Sequence, residues 1–118
     1  MGLNKEEKSL LQKNKITYNM AVLSLAACEI QINKYAYLSK KWNNYLKELP
    51  EGNNYEYQKE EWMKKRAVIR EMVKSKFNVQ RVIADVKGSK NKASIADVDK
   101  VVALIKRNAL NVVSDSGQ

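Results

Sequence analysis

From Leu3 to Leu49 the chain contains neither glycine nor proline, and its apolar side chains return every three or four residues. That spacing keeps them on one side of an α-helix, because about 3.6 residues complete a turn. Leu11, Tyr18, Leu25, Ile32, Ser39 and Leu46 share one heptad position, and Asn14, Ala21, Cys28, Tyr35, Trp42 and Leu49 share its partner. All but Asn14 and Ser39 are apolar or aromatic, and a seven-residue period marks a seam between helices wound gently around each other. The pattern predicts one long helix over about 5–49 that needs a long neighbour. Around Met20 to Ile32 the apolar surface widens to Val22, Leu23, Ala26, Ala27 and Ile30, more than one neighbour covers. The expectation that follows is a homo-oligomer.

Pro50 and Gly52, followed by Asn53 and Asn54, interrupt this run. Proline keeps the residue before it out of the helical region, and glycine and asparagine tolerate the positive φ of turns. The chain is expected to reverse over 50–54 and to continue as a second helix over about 55–87. Its apolar face gathers Trp62, Ile69, Met72, Val73, Val79, Ile83 and Val86, and Gly88 is suited to end it. A polar loop over 88–94 follows. Ser94 with Asp97 three residues on resembles a capping box. A third helix over about 95–113 carries the stripe Ile95, Val98, Val102, Ile105, Ala109 and Val112, and a frayed tail occupies 114–118. The fold class read from these signals is all-α: a long antiparallel, coiled-coil-like helical hairpin plus a shorter third C-terminal helix, in a single domain over 1–118.

Hydrophobic residues at 44% and charged residues at 30% place the chain among globular proteins rather than among those too polar to fold. Its longest apolar run, Met20 to Cys28, is well short of the roughly 20 residues a membrane span needs, so no transmembrane segment is expected. The single cysteine cannot form an internal disulfide, and the N-terminal residues match no secretory or lipidation signal. These features favour a cytoplasmic location, with signal-less secretion left open.

The formal charge of +9 is concentrated in one region. Residues 62–92 hold ten basic side chains against Glu71 and Asp85, a surplus of eight, whereas 1–61 carry a surplus of one and 93–118 balance. On a continuous helix Arg66, Arg70, Lys74 and Arg81 fall within a sector of roughly 80°, away from Ile69, Met72, Val79 and Ile83, and Lys87, Lys90 and Lys92 prolong the ridge. Such a ridge can follow a phosphate backbone or meet acidic protein, while the bland alternative is a solvated face that keeps the protein soluble. It contains no aromatic residue, which disfavours single-strand binding by base stacking. A helix-turn-helix reader is also disfavoured, because the Gly88–Ala93 connection is too long and the third helix is neutral.

Catalytic chemistry has little to work with. The chain has no histidine, which removes the commonest general base and the commonest metal ligand. Cys28 lies in the middle of the apolar seam and reads as a small buried side chain rather than a nucleophile. No phosphate-binding glycine loop is present. The acidic pairs Glu60–Glu61 and Asp97–Asp99 fall near predicted helix starts, where carboxylates stabilise the helix dipole. No enzyme activity, metal, cofactor or small-molecule substrate is expected.

Aromatic side chains crowd around the predicted turn. Core packing accounts for Tyr35, Trp42 and Trp62, whereas Tyr37, Tyr45 and Tyr57 cannot all point inward and suit a protein interface. Two surfaces therefore stand as candidates: Leu25, Ile32, Tyr35, Tyr37, Trp42 and Tyr45 for protein, and Arg66, Arg70, Lys74, Arg81, Lys87, Lys90 and Lys92 for a polyanion. The function expected is a self-assembling helical protein that binds a polyanion, foremost nucleic acid. The alternative is a protein-binding hairpin, such as a chaperone, adaptor or structural subunit of a secretion or filament assembly.

Overall fold

The computed structural model describes residues 2–41 and 54–107, together with the backbone of 111–113. Five helices and one pair of short strands are present among them: α1 Lys5–Gln12, β1 Lys15–Thr17, α2 Tyr18–Lys41, α3 Tyr55–Lys76, α4 Val79–Gly88, α5 Ile95–Lys106 and β2 Asn111–Val113. Among the described residues the fold is all-α apart from one parallel pairing of β1 with β2, in which Ile16 lies opposite Val112.

The expected first helix is divided. Asn4 and Glu7 close a reciprocal capping box on α1, each side chain accepting from the other's backbone N–H. The helix stops after Gln12 because Asn14 adopts φ 61°, a left-handed conformation that an asparagine tolerates and a continuing helix does not. The heptad position given to Asn14 is therefore a chain break. Three residues of strand follow, and the Thr17 hydroxyl then accepts from Met20 N–H at 3.1 Å, at the start of α2.

The expected second helix is divided as well, at Phe77 and Asn78. Phe77 is extended (φ −135°, ψ 171°), and Asn78 caps α4 by accepting from Arg81 N–H at 3.1 Å. The Asn78 cap and the packing of Phe77 stand where a glycine or proline would be expected. The Phe77 ring meets Tyr18 edge-on with centroids 5.5 Å apart. The third helix begins where expected, with Ser94 accepting from Asp97 N–H, but ends at Lys106; Asn111–Val113 is strand rather than helix. The turn, Trp42 and Tyr45, and the tail over 114–118 lie outside the described residues, apart from Asn54, which caps α3.

Between Met20 and Cys28 every α2 side chain is buried, with α3, α4, α5 and β1 packed around the helix. Glu29 meets Arg66, Tyr35 meets the Tyr55 ring at 6.1 Å, and Ser39 donates to Glu56 at 2.6 Å, so late α2 faces early α3. Met20, Ile69, Val82, Val98 and Val101 are almost wholly removed from water, each burial stabilising the fold by about 1.5–3 kcal/mol. The widened apolar surface of α2 that suggested an oligomer is thus covered from within the chain, and Ile30, 46% exposed, is the exception. Lys65 ties α3 to α5 through Asp99 at 2.9 Å, and Ala93 N–H donates to the Leu23 carbonyl at 3.0 Å.

Candidate binding face

The break at Phe77–Asn78 reshapes the predicted basic ridge. Arg66, Arg70 and Lys74 stand on α3, Arg81 and Lys87 on α4, and Lys90 and Lys92 in the loop that follows, so no single helical sector holds them. Arg66 is mostly buried and donates to Glu29 Oε1 at 2.9 Å. Arg70, half exposed, reaches the same oxygen at 3.3 Å. Lys74 lies 3.3 Å from Glu71, both well exposed. Arg81 stacks its guanidinium 4.7 Å from the centre of the Tyr18 ring and lies 3.8 Å from Asp85, which also accepts a hydrogen bond from the Tyr18 hydroxyl. That residue helps hold α4 to the start of α2. Lys87, Lys90 and Lys92 are exposed.

Bending the chain at Asn78 brings Arg70, Lys74 and Lys87 to the edge of one groove, of about 650 Å³, between α2, α3 and α4. Leu25, Val73 and Val82 form its floor, and Val79, Ile83 and Val86 line it from α4. Glu29 is the one acidic residue in the lining. The arrangement offers apolar contact flanked by cations.

A second cluster of cations was not signalled by the charge arithmetic. Lys8 on α1 and Lys100 and Arg107 at α5 line a cleft of about 370 Å³. These residues come from opposite ends of the chain, in segments whose net charge is near zero, and only the fold joins them. Glu29 was missed for the same reason: its arginine partners lie 37 and 41 positions away.

The residues expected to form a protein interface are dispersed. Leu25 and Ile32 are buried within the chain, Leu25 in the stretch Met20–Cys28 that is enclosed throughout and Ile32 as a buried position in the more exposed second half of α2. Tyr35 is half-buried beside Tyr55, and Tyr37 is 63% exposed with Lys41 Nζ 5.7 Å from its ring. Trp42 and Tyr45 lie outside the described residues.

The chemistry-bearing side chains occupy quiet surroundings. Burial, followed by the charge of Glu29, pushes the Cys28 thiol up to about 12, which leaves almost no thiolate at neutral pH. Asp97 is buried at the start of α5, Asp99 is paired with Lys65, and Glu61 lies 3.6 Å from Lys64. Among the described residues no three His, Cys, Asp or Glu side chains gather to hold a metal ion, and no helix is long and apolar enough to cross a membrane. Comparison with protein-family models, with curated proteins and with solved structures finds no match.

Proposed function

We propose that this chain is a non-enzymatic binding protein that takes an acidic protein partner on the face formed by α3 and α4. The carrying observation is that Arg70, Lys74 and Lys87 stand beside an apolar groove rather than along a bare ridge. A phosphate backbone is satisfied by cations alone, whereas a folded acidic surface brings apolar side chains that use the groove. We read α2 and α3 as the arms of an antiparallel hairpin and α4 as the segment bent back across them.

Nucleic acid is the second reading, supported by the exposed Lys90 and Lys92, which extend the cationic surface from Lys87 beyond the groove. Titrating a fluorescein-labelled glutamate–leucine copolymer and labelled duplex DNA into the protein across a salt series separates the two. The proposal expects the polypeptide to bind at low salt and to weaken on Arg70→Glu with Lys87→Glu. Duplex binding with a steep salt slope and no polypeptide binding would transfer the function to nucleic acid.

A further inference from the structure

The groove also constrains what form the partner takes. We infer that it seats an amphipathic acidic helix of the partner protein, with apolar side chains on Val79, Ile83 and Val86 and carboxylates at Arg70, Lys74 and Lys87. This inference rests on the acidic-protein reading of the α3–α4 face and adds the shape of the bound segment.

Every described residue lining the groove belongs to a helix, so among the described residues the walls present no free strand edge. An extended segment lying there would leave half of its backbone N–H and C=O groups facing apolar side chains without partners. A helix satisfies its backbone internally and needs only side-chain contacts from its host. The groove is open to solvent along one side, which matches an occupant with one apolar and one wet face. Ile83, 46% exposed at the lip, gains cover when such a helix docks.

Charge complementarity argues for an acidic partner, and the pairing at Glu29 shows which cation is available. Arg66 and Arg70 share one oxygen of Glu29, but Arg66 holds it at the shorter distance and from the more buried position. When Arg70 turns to a partner carboxylate, Glu29 keeps Arg66 and no charge is stranded. Among the described residues Lys74 pairs with Glu71 in a well-exposed ion pair of the weak kind, so it too can exchange.

The test uses the full chain and two synthetic peptides of identical composition, labelled for fluorescence anisotropy. One places leucines three and four residues apart with glutamates flanking them; the other scrambles that order. The patterned peptide is expected to bind at least about tenfold more tightly, and Ile83→Asp and Lys87→Glu, both exposed positions, are each expected to weaken it several-fold with the circular dichroism of the protein unchanged. Equal binding of both peptides would overturn the helix-in-groove inference while leaving an acidic-partner face intact. Binding of neither peptide, with duplex DNA bound instead, would overturn both.

Discussion

Glu29 Oε1 accepts hydrogen bonds from two arginines one helical turn apart on α3, Arg66 at 2.9 Å and Arg70 at 3.3 Å. The two bonds are unequal in worth because Arg66 is largely removed from water and Arg70 is not. Glu29→Gln is expected to lower stability by roughly 1–3 kcal/mol, since it leaves the mostly buried Arg66 guanidinium without its counter-charge. Arg70→Ala is expected to cost less than about 1 kcal/mol. Urea-denaturation midpoints for the two variants check the ordering, and equal effects would contradict it.

Asn78 is the cap that allows α4 to leave the line of α3. Asn78→Ala removes the acceptor for Arg81 N–H and is expected to destabilise the protein by about 1 kcal/mol, with Asn78→Gly costing only a few tenths. An unchanged midpoint for Asn78→Ala would mean that packing of Phe77 on Tyr18 holds the bend alone.

These two sites show what could be read in the chain and what could not. Helical periodicity made the mostly helical character legible and Ser94 was legible as a cap, because local spacing decides both, whereas Gly88 is the last residue of α4 and Ser89 caps it. The breaks at Asn14 and Asn78 escaped because asparagine works through backbone conformation or capping without interrupting the apolar period. Strand at Asn111–Val113 depends on a partner nearly a hundred residues earlier, and no local pattern announces it. The surplus of positive charge over 62–92 was legible as composition, while its division into bound arginines and groove-edge cations required Glu29 and Asp85 to be placed in space.

Two groups predict the alkaline limit of stability. Cys28 is pushed up from its ordinary 9.0 to about 12 by burial, and Tyr18 from 10.0 to about 12 by burial and then by its hydrogen bond to Asp85. Both bind their protons more tightly folded than unfolded. The stability they contribute is complete below about pH 9 and is lost as pH rises from there toward 12. Denaturation midpoints should therefore hold level from neutral pH to about 9 and fall above it. Iodoacetamide should alkylate Cys28 slowly in the folded protein and readily in urea, and rapid native labelling would contradict the buried thiol.

Truncation separates the core from the groove lip. Ile69→Ala and Met20→Ala, at fully buried positions, are expected to cost about 2–5 kcal/mol. Ile83→Ala, at the exposed edge, is expected to cost much less while weakening partner binding. A large stability loss at Ile83 would indicate that it belongs to the core.

The location of the bound acidic partner tests the account most directly. In a titration of the isotope-labelled protein with a glutamate–leucine copolymer, followed by backbone amide chemical shifts, the largest changes are expected from Arg70 to Lys74 and from Val79 to Lys87. Small changes are expected around Lys8, Lys100 and Arg107, which line the other cationic cleft. Shifts centred on that second cleft, or none at all at low salt, would contradict the assignment of binding to the α3–α4 face.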